Sequence, residues 1–153
     1  GDEQDVAVID WFKNEHKMEI GYRTAEKIKI TVGAAIREKG QIISVKGRDL
    51  VSGIPKTIEV QSDEIRLAIK ETITQITEGI RRALEQTPPE LSSDIIDHGI
   101  VLTGGGALLK GFDQHIRNKT GLPVLIAEEP LLSVVKGTGM VLENLKKYKD
   151  ILI

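Results

Sequence analysis

Two short segments of this chain combine residue types and spacing that could hold a ligand. The first is Ile100-Val101-Leu102-Thr103-Gly104-Gly105-Gly106-Ala107-Leu108-Leu109-Lys110-Gly111. Its apolar start runs directly into three consecutive glycines, and a strand that ends this way lets a ligand come close to the backbone. A helix expected from Ala107 or Phe112 to Asn118 would then offer unpaired N–H groups at its N-terminus, a common cradle for phosphates or sugar hydroxyls. The run is not a P-loop. Gly106 and Gly111 have the GxxxxG spacing, but Phe112-Asp113 follow in place of Lys and Ser/Thr. Nor is it the dinucleotide fingerprint, because Leu109 stands where Gly104-x-Gly106 needs a further glycine. A tight strand-to-helix turn with no ligand needs the same glycines, so the glycines alone leave both readings open.

The second segment is Thr24-Ala25-Glu26-Lys27-Ile28-Lys29. Glu26 and Lys29 lie three apart, hence on one helix face, and set an acceptor beside a donor. Such a pair can grip ribose hydroxyls or an adenine edge, although the commoner meaning of that spacing is a solvated charge pair. Other chemistry-bearing residues do not group. His16, His98 and His115 have no partner at metal-ligand spacing. Asp94 and Asp97 share a helical face near a helix end, where acids are usually just solvated. Trp11 and Phe12 fall in a helix stripe that suits core or interface. No Ser-His-Asp order can be proposed. The residues offer a binding site, no catalytic group and no metal set.

These segments must be carried by regular elements. Val6, Ile9 and Phe12 predict a first helix from about Asp2 to His16, with carboxylates in its first turn. Thr24 is the expected N-cap of a second, with Ala25, Ile28 and Val32 on one face and Gly33 near its end. Gln41–Lys46 and Lys56–Val60 read as neighbouring strands or a β-hairpin around a glycine-punctuated connection. A long helix capped by Ser62 follows, with Ile65, Ile69, Ile73, Ile76, Ile80 and Leu84 as its buried stripe and Pro88-Pro89 as its stop. Glu78 and Arg82 are expected to pair on its wet side. A short helical turn near Leu91–Ile96, the strand Ile100–Thr103, a strand Pro123–Ile126 and a last helix after Pro130 complete the chain. That last helix carries Val134, Thr138, Val141, Leu145 and Tyr148. Helix and strand in turn predict an α/β protein with an extra lobe near the front.

Composition narrows the function. The chain has 153 residues, 40% hydrophobic and 29% charged, which suits one domain or two small lobes sharing a core. The absence of cysteine excludes thiol catalysis, iron–sulfur clusters and Cys-based zinc sites, and fits a reducing compartment. A net charge of −2 provides no basic field, so nucleic acid is not an expected partner. Aromatics make up only 3%, which leaves little to stack on a base and predicts an aliphatic core. No apolar run approaches a membrane span and the acidic N-terminus lacks signal-peptide character, so a soluble intracellular protein is expected.

The same segments closely resemble the MreB family of bacterial actin-like proteins along nearly the whole chain. The resemblance runs through Tyr22-Arg23-Thr24-Ala25-Glu26-Lys27-Ile28-Lys29 and Val45-Lys46-Gly47-Arg48-Asp49-Leu50-Val51-Ser52-Gly53-Ile54-Pro55-Lys56-Thr57-Ile58. It continues in Thr87-Pro88-Pro89-Glu90-Leu91, Gly99 to Leu109, Thr120-Gly121-Leu122-Pro123-Val124 and Gly137-Thr138-Gly139. The glycine run is shared more loosely by actins and Hsp70-type ATPases. The Gly-Arg-Asp-Leu-Val-x-Gly-x-Pro-Lys-Thr stretch is the more specific part.

The resemblance implies an actin/Hsp70-like ATPase half, a mixed sheet with packed helices plus a small α+β lobe. Residues 1–69 would form the subdomain IIB-like lobe and 70–153 part of subdomain IIA, lacking its N-terminal strands. It also implies a cofactor, ATP or ADP, bound between two walls: Glu26, Lys27, Ile28 and Lys29 toward the adenosine, and Gly104, Gly105, Gly106 and Ala107 toward the ribose and α-phosphate. Leu108 would be an apolar neighbour of the base. The phosphate-binding hairpins and magnesium-positioning acids of the family have no counterpart here, so magnesium contacts are expected in the missing N-terminal half. The chain alone would then not hydrolyse ATP, while its parent would be a slow ATPase.

Implied partners are other copies in protofilaments, the missing half and the cell-wall elongation machinery, at the inner face of the cell membrane. Membrane contact would come only through the absent half. The parent would guide cell shape and wall growth. The rival expectation is an interaction module that makes filament contacts and binds no nucleotide. Since the partner strands of Ile100–Thr103 would by family analogy precede Gly1, an exposed apolar edge is expected to drive association.

Overall fold

In the computed structural model, residues 1–145, 147 and 148 are described. Helix α1 (Asp2–Glu15) buries Val8 and Phe12, and sets Asp2, Glu3 and Asp5 in its first turn. Strand β1 (Met18–Glu19) leads to helix α2 (Tyr22–Val32), whose Ala25, Ile28 and Val32 are buried as their spacing predicts. The N-cap of α2 is Gly21 rather than Thr24, which lies inside the helix. Thr24 donates its backbone N–H to the Gly21 carbonyl, so the first turn closes on the glycine before the threonine is reached.

Strands β2 (Ile42–Asp49) and β3 (Pro55–Gln61) form the expected antiparallel hairpin, in register from Ile42 opposite Gln61 to Arg48 opposite Pro55. Its tip is organised by Asp49. One carboxylate oxygen accepts the amides of Val51 and Ser52 and the Ser52 hydroxyl, and the other accepts the Lys56 ammonium at 3.0 Å. These donors hold the Asp49 carboxyl far below the usual carboxylate range, the Ser52 amide contributing most, then Lys56 and the Val51 amide. Strand β1 joins the outer side of β2 only at Arg48 and Asp49.

The long helix expected from Ser62 is two helices, α3 (Ser62–Ala68) and α4 (Lys70–Glu85). The break falls at Ile69, whose carbonyl accepts the Thr72 hydroxyl at 2.7 Å, a local bond that competes with regular helix geometry. The cap is Gln61, in a reciprocal capping box with Glu64, and not Ser62. Ile65, Ile69 and Ile73 are buried as predicted, but after the break the buried face turns to Thr77 and leaves Ile76 exposed. On the wet side Arg81 pairs with Glu78 and Glu85, in place of the expected Glu78–Arg82 pair.

The rest is more strictly alternating. Helix α5 (Pro89–His98) starts on its proline and is longer than the turn expected there. Strand β4 (Ile100–Leu102) pairs in parallel with β5 (Val124–Ile126), with α6 (Phe112–Thr120) as the crossover. Helix α7 (Ser133–Glu143) ends before Leu145 and Tyr148, and Val134 on it is exposed. One core cluster joins the front and back of the chain. Val8, Phe12, Ile28, Val45, Val60 and Ile65 belong to it together with Ile69, Leu109, Phe112, Ile116 and Val124. It is aliphatic apart from two phenylalanines. By contrast, Val101 on β4, Leu125 and Ile126 on β5, and Leu131, Leu132, Val135 and Met140 beyond them are exposed. No helix among the described residues is long and apolar enough to cross a membrane.

Candidate functional site

The glycine run leaves β4 as a turn fastened at its start. The Thr103 hydroxyl donates to the Pro130 carbonyl at 3.0 Å, and the Gly104 amide donates to the same oxygen at 2.8 Å. Gly104 has φ +78°, a left-handed conformation that a side chain would strain. Gly105–Leu108 then make a single 3₁₀ turn, and α6 begins only after Gly111. Of the two starts expected for the helix, Phe112 is observed and Ala107 is not, so the glycines run into a 3₁₀ turn and not directly into the N-terminus of α6. What the turn does supply is two amides. Among the described residues no hydrogen bond uses the N–H of Gly105 or Gly106, and both glycines are exposed. A Cβ on Gly104 or Gly106 would meet nothing within 4 Å, so the backbone here borders open space. Ala107 is buried beneath the turn, and Leu108 is 55% exposed at its rim.

The second segment sits on α2 as its spacing requires, with Glu26 exposed and Ile28 buried. Glu26 has no ion-pair or hydrogen-bond partner among the described residues, so its carboxylate is available as an acceptor. Lys27 is exposed on the adjoining flank. Lys29 is different. Its ammonium lies 2.7 Å from Asp5 Oδ1 and donates to the Gly1 carbonyl at 3.2 Å, so it ties α2 to the N-terminus of α1. The two side chains are only 14% and 10% exposed. Spacing had shown which face Lys29 occupies, but Asp5, 24 positions earlier, is a partner that sequence reasoning missed.

The two segments meet where α2 ends. Ala34 forms a parallel bridge with Lys110, and the Ala35 amide donates to the Lys110 carbonyl at 2.8 Å. The Lys110 ammonium donates to the Thr31 carbonyl at 2.8 Å, which occupies an acceptor left over at the helix end. A Cβ on Gly33 would lie 2.3 Å from the Lys29 carbonyl oxygen and 3.2 Å from the Leu109 side chain, so glycine permits the helix end and Leu109 to pack this closely. Thus the helix that carries Glu26 and Lys29 is joined to residues 109 and 110, immediately after the glycine turn. Lys110 was not singled out from sequence. The acceptor of its ammonium, Thr31, lies 79 residues away, and no local signal marks such a contact.

Chemically, the two segments present one free carboxylate on α2 and, on the glycine turn, two free amides and an apolar rim at Leu108. That set suits hydroxyl and amine donors and a weakly anionic oxygen, as a nucleoside presents. Among the described residues no group of three or more His, Cys, Asp or Glu could hold a metal ion. His16 lies 2.9 Å from Glu64, and the imidazole of His98 is 3.0 Å from the Asp94 carbonyl. His115 is held below its usual range by burial and then by Lys119, and it lines a cavity together with Ala35 of the junction.

Comparisons with known proteins agree with this architecture. A family profile described as MreB/Mbl protein matches residues 1–150. The cell shape-determining protein Mbl of Bacillus subtilis is 47% identical over 148 residues, which cover 96% of this chain and 44% of Mbl. The cell shape-determining protein MreB of Escherichia coli K12 is 44% identical over 149 residues, covering 97% and 43%. The chain thus spans less than half the length of these relatives. MreB5 of Spiroplasma citri bound to ADP superimposes with a TM-score of 0.91 at 33% identity, over 97% of this chain and 46% of MreB5. A MamK double helical filament matches at 18% identity with a TM-score of 0.68, a likeness of fold alone. With its α/β order, actin-like fold and profile match over nearly all of its length, the chain belongs to the MreB/Mbl family.

Proposed function

We propose that this chain supplies the adenosine-side wall of an ATP- or ADP-binding actin-like cytoskeletal protein, and that the rest of the cleft lies in sequence beyond it. The observation that carries the reading is the junction of Ala34 and Thr31 with Lys110, which joins the α2 segment to the glycine turn. Glu26 would accept from the ribose or adenine edge, and Lys29, whose ammonium already meets Asp5 and the Gly1 carbonyl, would have one N–H left to donate beside it. Gly104 to Gly106 and Ala107 would let the sugar and α-phosphate approach the backbone, the amides of Gly105 and Gly106 serving as donors. Lys27 and Ile28 complete the helix wall and Leu108 borders the base. The bound state of MreB5 with ADP supports nucleotide as the ligand class. Magnesium is assigned to none of these residues, and its contacts are proposed for the missing N-terminal half. Hydrolysis is likewise proposed for that fuller protein and not for this chain alone.

On the same reading the chain divides into lobes at 1–69 and 70–153. The change from antiparallel to parallel strands and the helix break at Ile69 support that boundary. Self-association into protofilaments is supported by the apolar surface around β4, β5 and α7, which another copy or the missing half would cover. The parent would act in cell shape and wall growth with the elongation machinery at the inner face of the membrane, reaching the membrane through the absent half. A second reading, an interaction module without nucleotide, draws on the exposed Leu50, Val51 and Ile54 at the hairpin tip.

Calorimetric titration of the chain with ADP separates the two readings. Binding that is lost in Glu26→Gln, whose fold has no ion pair to lose, supports the nucleotide wall. Absence of heat at millimolar ADP, or heat unchanged in Glu26→Gln and Gly106→Val, overturns it. Steady ATP turnover by the chain alone would overturn the division of labour.

A further inference from the structure

A groove beside α2 shares Lys27 and Ile28 with the nucleotide reading but includes neither Glu26, Lys29 nor the glycine turn. Its cavity is about 650 Å³, walled by Arg23, Thr24, Lys27, Ile28 and Thr31 of α2 and by Ile43 to Lys46 of β2. The β2 wall is a sheet edge. Residues 42–47 pair with β3 on one side, while β1 covers the other side only at Arg48 and Asp49. Backbone groups of this stretch are therefore turned toward the groove with no strand to meet them. Ile28 and Val45 provide an apolar floor. Every charged residue lining the groove is a cation: Arg23, Lys27 and Lys46, none of them in an ion pair among the described residues.

We propose that this groove takes an extended acidic segment of a partner protein, added as a strand antiparallel or parallel to residues 42–46. Main-chain pairing would satisfy the open edge, and carboxylates on the added strand would meet Lys46 on the outer face of the sheet or Arg23 and Lys27 across the groove. A second copy of the same edge is disfavoured, because pairing two identical edges would set these cations against each other. The occupant is thus acidic and extended rather than another β2. The proposal shares Lys27 and Ile28 with the nucleotide wall but needs neither Glu26 nor the glycine turn, so it is unaffected if ADP does not bind.

The test is fluorescence anisotropy of a labelled acetyl-Glu-Val-Glu-Val-Glu-Val-amide titrated with the chain. Saturable binding is expected, with amide shifts confined to residues 42–46 and neighbouring α2 in NMR spectra. Binding should weaken at least about tenfold for the Lys-Val repeat, and for the glutamate peptide N-methylated at alternate backbone nitrogens. The Lys27→Glu/Lys46→Glu variant should show the same loss, with its melting temperature confirming that the fold is kept, both residues being exposed. Equal affinity of the N-methylated peptide, or full displacement by tripolyphosphate at the same ionic strength, would reduce the effect to charge attraction and overturn strand addition. No saturation up to millimolar peptide overturns it as well.

Discussion

Replacing Lys29 by methionine removes the charge while keeping most of the side-chain stem, and it leaves Asp5 facing α2 without its cation. The pair is 2.7 Å apart, with side chains 14% and 10% exposed, so water can replace little of what is lost. Asp5 Oδ1 has no hydrogen-bond partner among the described residues, so its contact with the ammonium is mainly a meeting of charges. Removing one partner of a buried pair costs about 3–5 kcal/mol, and the residual exposure here places Lys29→Met near the lower end, about 3 kcal/mol. With a urea slope of about 2 kcal/mol/M, the midpoint should fall by about 1.5 M. Trp11, the only tryptophan and half-buried on α1, reports the transition by its fluorescence. Asp5→Asn should cost less, and Asp5→Asn/Lys29→Met should fall short of the sum of the singles by about 1–2 kcal/mol, since both remove one interaction. Single costs that add to within about 0.5 kcal/mol would refute the coupling. A cost for Lys29→Met below about 0.5 kcal/mol would refute the burial argument as well. The same variant bears on ligand binding: loss of ADP affinity in Lys29→Met must be judged against its loss of stability, and Glu26→Gln is the cleaner probe.

Two further outcomes follow from backbone and carboxylate geometry. Gly111 has φ +66°, and a Cβ there would lie 2.4 Å from Ile36 Cγ1. Gly111→Ala should therefore cost about 1–3 kcal/mol, a fall of roughly 3–10 °C in melting temperature, and Ile36→Ala in that background should restore the steric part only. Asp49 titrates well below its unfolded value of about 3.9, so its stabilising contribution is complete above that pH and is lost as the pH falls through the folded value. Urea midpoints between pH 5 and pH 2.5 should decline more steeply for the native chain than for Asp49→Asn; parallel declines would show that the turn does not depend on the ionised carboxylate.

Much of the fold was legible locally. The periods of Ala25, Ile28 and Val32 and of Lys56 to Val60 place a helix face and a strand, because local sterics and burial act over a few residues. The glycine turn was legible for the same reason: φ +78° at Gly104 is a local demand. Misplacements came where a nearby hydrogen bond competed with the pattern, as at Gly21 instead of Thr24 and at Ile69, where the long helix divides. After that division the stripe no longer matched a straight helix, so Ile76 turned outward and Thr77 inward.

The sequence by itself determined which residues share a face: Glu26 with Lys29, three glycines in a row, an acidic first turn of α1. Only the tertiary structure decided what those faces meet. It engaged Lys29 with Asp5 and Gly1, left Glu26 free, and joined Thr31 to Lys110 across 79 residues, with Ala34 beside it. It also left residues 42–47 with an open edge beside three cations. The reason is one of range. Periodicity and turn geometry are set by neighbours along the chain, whereas the partner of a charge or a strand edge is set by how the core closes, and that depends on every element packed into it.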